Sequence, residues 1–201
     1  MDDALVRTRR IAPSSERIAP KKFAHFVLKT ARFDEVIEWY RTVLQARVVV
    51  RNEILCFLTY DEEHHRLAIA NMPGAASLPP GAAGVDHVAY TYNGLGELLA
   101  TYRRLKAAGI EPVWCINHGP TTSMYYRDPD GLRVELQVDN FATDAELNGY
   151  FTSAEFAQNP VGVTYDPEDL ARRYEAGVPL EDLLRRPPLP EGKTPFDMLR
   201  L

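Results

Sequence analysis

Cysteine is scarce in this sequence: Cys56 and Cys115 are the only two among 201 residues. Two thiols cannot build a disulfide scaffold, and their neighbours (Cys-Phe-Leu and Trp-Cys-Ile) read as buried positions of a reduced protein. No apolar run approaches the roughly 18–20 residues that a membrane-spanning helix needs, so no membrane partner is expected. A basic excess is missing too. With 23 Lys+Arg against 28 Asp+Glu the formal charge is −5, which argues against nucleic acid as a partner. The first 20 residues carry charges where a signal peptide needs an apolar stretch, so the expected location is cytoplasmic. Histidine is sparse, at positions 25, 64, 65, 87 and 118.

What is present is an ordinary globular composition, 45% hydrophobic and 25% charged, too apolar for a disordered chain and sufficient to bury a core. Residues 1–20, with Arg-Ile-Ala-Pro twice, read as an extended lead-in. From Lys22 the texture changes. Phe23–Leu28 is an apolar run of strand length, and Val36, Ile37, Tyr40, Val43 and Leu44 then fall on one face of a helix opened by Asp34. Ala46–Arg51, Glu53–Tyr60 and Arg66–Ala70 read as three strands, giving the order β-α-β-β-β.

Residues 72–84, rich in Pro, Gly and Ala, read as a linker, after which the order repeats. Val85–Tyr90 is a strand. Leu98, Leu99, Tyr102 and Leu105 mark a helix over 95–108 that Gly109 ends. Pro112–Ile116, Ser123–Arg127 and Leu132–Val138 are strands, the last two joined by the turn Asp128-Pro129-Asp130-Gly131. His25 and His87 occupy the same place in each half. The sequence thus predicts an α+β fold with two tandem modules, 21–71 and 85–139. Residues 140–201 do not repeat the pattern. Helix starts at Thr143–Glu146 and Asp166-Pro167, and an extended Arg185–Pro190, make this segment a helical extension. It reads as a peripheral clasp or dimer arm in preference to a catalytic element.

Two neutral imidazoles and one carboxylate can hold a divalent metal on one face and leave the other face open. His25 and His87 supply imidazoles from equivalent strands. Glu135 lies in an apolar strand whose alternation puts it on the same side as Arg133 and Gln137. Taken singly, each of the three is more often a structural residue; their matched placement in a duplicated chain is what points to a metal.

Ala24-His25-Phe26-Val27, the helix ending in Trp39-Tyr40, Asp86-His87-Val88-Ala89 and the stretch from Asp128 through Gly131 to Glu135-Leu136 resemble the vicinal oxygen chelate superfamily. That superfamily includes glyoxalase I, bleomycin-binding proteins and type I extradiol dioxygenases. The resemblance covers residues 22–139 and implies two modules curled into an open mixed β-barrel around a metal held by His25, His87 and Glu135. It is strongest with the small one-domain extradiol enzymes. Alternation lets only one of the adjacent His64-His65 pair point inward, and the resemblance chooses His65, which is similar to the histidine facing the O2 site. His118, in His118-Gly119-Pro120-Thr121, is similar to the histidine that hydrogen-bonds bound catechol, and Tyr125 to the tyrosine that contacts a substrate hydroxyl. The bland alternatives are a polar turn at His64-His65, an exposed ring at His118 and a core ring at Tyr125.

The resemblance implies an Fe(II)-dependent extradiol dioxygenase, with Mn(II) the alternative metal, O2 as co-substrate and a small aromatic diol as substrate. Tyr90, Tyr92, Trp114 and Phe141 are candidates for a ring pocket, though residues of this kind are more often core. Alternatives are a metal-dependent lyase or isomerase of glyoxalase or epimerase type and a metal-free protein that sequesters aromatic drugs. The strand Arg66–Ala70 offers no fourth ligand of the glyoxalase kind. A homo-oligomer is expected from the exposed edges of such half-barrels.

Overall fold

Val36, Ile37, Tyr40 and Val43 recur at the spacing of one helical face, and all four are buried along α1 (Phe33–Leu44) in a computed structural model that describes residues 19–77, 79, 81 and 83–200. Around α1 the first module places β1 (Phe26–Thr30), β2 (Arg47–Arg51), β3 (Leu55–Thr59) and β4 (Leu67–Asn71) in one sheet, ordered β1-β4-β3-β2. The second module repeats the plan with β5 (His87–Thr91), α2 (Leu95–Ala107), β6 (Trp114–Asn117), β7 (Thr121–Arg127) and β8 (Arg133–Asp139), ordered β5-β8-β7-β6. In each sheet the first and last strands of the module pair in parallel, and the other pairs are antiparallel.

The repeat extends to the register. When His25 is set against His87, Phe26↔Leu67 matches Val88↔Val134, and Val27↔Ala68 matches Ala89↔Glu135. Ala68 therefore stands in the first module where Glu135 stands in the second. Both sheets bury their helix-facing side. Leu58, Leu67 and Ile69 join Ile37 and Tyr40, while Met124, Tyr126, Leu136 and Val138 join Leu98 and Leu105, in one continuous core.

The modules are also tied through polar groups. Arg104 of α2 donates to the carbonyls of Thr42 and Val43 in α1. The Tyr40 hydroxyl donates to Asp128 at 3.1 Å, and the other Asp128 oxygen accepts from the Asp130 and Leu132 amides at 3.0 and 2.9 Å, fixing the β7–β8 turn.

Several expected boundaries move. β1 begins at Phe26, so His25 precedes the strand, while His87 opens β5. The two sheets remain open and separate in hydrogen bonding, two half-shells with no closed wall, as the expected open barrel has. The described residues of the 72–84 linker carry only turns and coil. The lead-in lies, apart from Ala19 and Pro20, outside the described residues.

The extension is α3 (Asp144–Phe151), α4 (Ala154–Gln158), β9 (Val163–Thr164), α5 (Pro167–Glu175), α6 (Leu180–Leu184) and a short 3₁₀ turn, Pro195–Met198. Thr143 and Glu146 form the expected capping box, and Asp166 caps α5 with Pro167 in its first turn. The sequence pattern missed β9, two residues that pair with β6 and make the second sheet five-stranded. Leu170, Ala171 and Leu183 belong to the main core, so the extension packs as part of the body. No helix among the described residues is long and apolar enough to cross a membrane.

Candidate active site

Alternation along β8 turns Val134, Leu136 and Val138 toward the core and Arg133, Glu135 and Gln137 to the opposite face. Glu135 is nevertheless only 4% exposed. Its carboxylate stands 3.0 Å from Nε2 of His87 on the neighbouring strand. Burial pushes the Glu135 carboxyl upward, but hydrogen bonds to His87 and Ser123 outweigh it, so the group lies below the usual carboxylate range. The same contact with Glu135 raises the His87 imidazole above its ordinary value, against burial. Nδ1 of His87 meets Asp86 at 2.7 Å, and Arg133 holds that same Asp86, which fixes the ring's orientation.

A second pair lies beside the first. Tyr125, on β7 directly opposite Glu135, is 2% exposed and stacked on Trp114 with ring centroids 4.7 Å apart. Its hydroxyl is 3.0 Å from Nε2 of His118, and Nδ1 of His118 meets the Val161 carbonyl. Burial lowers the His118 imidazole and raises the Tyr125 hydroxyl, so both favour their neutral forms. The Trp114 indole N–H is buried without a partner. Of the four ring-pocket candidates, Trp114 lies on this face. Tyr90 and Tyr92 pack against the main core, and Phe141 sits against Tyr150 of the extension.

In the first module His25 is exposed and its ring lies 4.3 Å from that of His65, which stacks on Phe57 at 4.3 Å. His64 is the outer ring of the three, with its side chain 71% exposed and its Nδ1 2.6 Å from Nδ1 of His65. Arg66 donates to the carbonyls of Phe23 and Ala24, just ahead of His25, and pairs with Asp61. It thus matches in place the Arg133 that holds Asp86 ahead of His87. The expected residues accordingly fall into two groups: His25 with His65 beside the first sheet, and His87, Glu135 and Tyr125 on the second with His118 at the end of its β6. Among the described residues, no three His, Cys, Asp or Glu side chains stand close enough to hold a metal ion as a group.

The donor chemistry nonetheless fits a divalent metal. Glu135 is a buried carboxylate whose ion-pair partner is an imidazole, and such a charge calls for a cation beside it. Position 68, where a fourth ligand would stand, holds an alanine. A cleft of about 620 Å³ lined by Phe33, Asp34, Arg51 and Glu53 contains none of these residues.

The glyoxalase/bleomycin resistance protein/dioxygenase superfamily model matches residues 22–136, more than half the chain. The chain belongs to that superfamily. It is 51% identical over 164 residues to biphenyl-2,3-diol 1,2-dioxygenase 2 of Rhodococcus globerulus, covering 81% of this chain and 86% of the relative. Biphenyl-2,3-diol 1,2-dioxygenase 3 of the same organism is 46% identical over 168 residues, 82% of this chain and 88% of that one. A glyoxalase/bleomycin resistance protein/dioxygenase domain from Frankia sp. superposes with a TM-score of 0.51 at 17% identity, over 64% of this chain and 99% of that one, a likeness of fold alone. Both of these matches are longer than the superfamily match, so the likeness reaches beyond residues 22–136.

Sequence reasoning passed over Asp86 and Arg66 as site residues and named Arg133 only as a neighbour of Glu135. Their shared signal was there: each arginine sits two residues before the matched Ala68 or Glu135 position. The Val161 carbonyl had no signal at all, because a main-chain acceptor carries no residue type.

Proposed function

We propose that this superfamily member is an extradiol dioxygenase. It opens a substituted catechol beside, rather than between, its two hydroxylated carbons and places both atoms of O2 in the product. The observation that carries this is the 51% identity over four-fifths of the chain to a biphenyl-2,3-diol 1,2-dioxygenase. The substrate is an aromatic diol, and we propose a catechol bearing an aryl substituent. His25, His87 and Glu135 would hold Fe(II), or Mn(II) in its place. When bound, the metal supplies Lewis acidity toward the diol and the electron chemistry that O2 requires.

The chain's own groups handle protons. Tyr125 meets the substrate hydroxyl and passes a proton to His118, whose low basicity in the buried site lets it return the proton later. His65, beside the first module's sheet, is assigned to the O2 side, where a histidine proton would assist O–O cleavage. Two buried free cysteines suit a reducing cytoplasm. Association of copies belongs to the same proposal: β2 is an edge strand that exposes Val48, Val49 and Val50, and sedimentation velocity tests it.

The test is anaerobic loading with Fe(II), followed by biphenyl-2,3-diol and a panel of monocyclic catechols with O2. A yellow ring-fission product and stoichiometric O2 uptake are expected. Stoichiometric iron with no product from any catechol overturns the reading. A glyoxalase-type lyase would instead work with Ni(II), Co(II) or Zn(II) and consume no O2; Ala68 in place of a fourth ligand disfavours it.

A further inference from the structure

The C-terminal extension reaches the proton relay through its main chain. The Val161 carbonyl meets Nδ1 of His118, and a carbonyl can only accept. Nδ1 therefore carries the proton, Nε2 of the neutral ring is left with a lone pair, and the Tyr125 hydroxyl 3.0 Å away donates to it.

What aims that carbonyl is Asn159. Its Oδ1 accepts from the Val161 and Gly162 amides at 3.1 and 2.9 Å, and its Nδ2 donates to the Gly162 carbonyl at 2.8 Å. The side chain is buried, 4% exposed, with every polar atom used inside this one turn. The turn is also seated tightly. Gly162 has φ +121°, and a Cβ there would fall 2.8 Å from the His118 Cα. From behind, the Arg186 guanidinium donates to the Asn159 carbonyl and, at 2.9 Å, to the Glu155 carbonyl. The relay thus runs from α4, through Asn159 and Val161, to His118 and Tyr125.

We propose that Asn159 is a positioning residue for the ring-opening reaction, fixing His118 as the Nδ1–H tautomer through the Val161 carbonyl. The proposal rests on the dioxygenase reading, because it has Tyr125 take a proton from the diol while giving its own to Nε2. The imidazolium so formed keeps its Nδ1–H on Val161, and the same proton returns along the same path.

The test is ¹⁵N NMR of the full chain with labelled histidine, stripped of paramagnetic metal by chelation and held at pH 8. The His118 signals are assigned by their loss in His118→Asn. A protonated Nδ1 and a bare Nε2 are expected; a protonated Nε2 overturns the proposal whether or not any variant folds. In Asn159→Ala the His118 shifts should move toward tautomer averaging, and kcat of the iron-loaded enzyme should fall about tenfold or more while KM changes less than about threefold. Unchanged shifts and unchanged kcat also overturn it. Should the wild-type enzyme open no catechol ring, the dioxygenase reading falls instead, and the spectrum still reports the tautomer by itself.

Discussion

At the scale of single residues, burial decides what each ionisable group can do. Tyr125 is nearly sealed between Trp114, Glu135 and His118, so its hydroxyl can exchange protons with few partners. Tyr125→Phe keeps the stack and removes that exchange. A loss in kcat of about 100-fold is expected, with iron content unchanged, measured by product formation and elemental analysis. The cysteines illustrate the opposite case, of burial without chemistry. Burial, with Asp166 nearby, pushes the Cys115 thiol from 9.0 up to about 12, and burial also raises Cys56. At pH 8 about one Cys115 in ten thousand is thiolate, so a thiol reagent should label neither cysteine until the protein is unfolded. The sign for stability follows: the unfolded thiol ionises first as pH rises past its ordinary value, so this contribution is complete below about pH 9 and declines above it. Labelling of the folded protein at pH 8 at the unfolded rate would contradict this burial.

At the scale of elements, the β7–β8 turn does most to place the site, because β7 carries Tyr125 and β8 carries Glu135. Asp128 holds that turn through two amides and takes the Tyr40 hydroxyl from α1, while its burial raises its own carboxyl above the usual range. Asp128→Ala leaves the Leu132 amide without its side-chain acceptor and Tyr40 without an acceptor in the core. A loss of about 2–3 kcal/mol is expected in urea unfolding, with a smaller effect on KM. The helices and strands here were legible from Val36, Ile37, Tyr40 and Leu98, Leu99, Tyr102, whose 3.6-residue spacing reports a buried face directly. β9 was not, since two residues show no period and their pairing with β6 depends on a partner more than 45 positions away.

At the scale of the whole molecule, the extension is a structural part of the second module. It adds β9 to the sheet, contributes Leu170, Ala171 and Leu183 to the core, and covers Trp114 and Ile116 with Val163 and Met198. A chain cut after residue 139 would expose the edge of β6 and that apolar face. It is expected to lose the cooperative unfolding transition and to aggregate, as read by circular dichroism and light scattering. A soluble, cooperatively folding truncation would make the extension the separate clasp that its sequence suggested.

The sequence by itself determined the duplication, the helix faces, the tight turn at Asp128 and the residue types suited to a metal. Each of these is written in local spacing or in chemical identity. Only the tertiary structure decided that His65 rather than His64 lies against His25, that Ala68 is the register mate of Glu135, and that His87 and Glu135 pair while His25 stands beside the first sheet with His65. It alone also brought the Val161 carbonyl to His118. Those facts depend on which strands pair and in what register. They come from packing two modules and an extension around a shared core, and no local pattern along the chain encodes them.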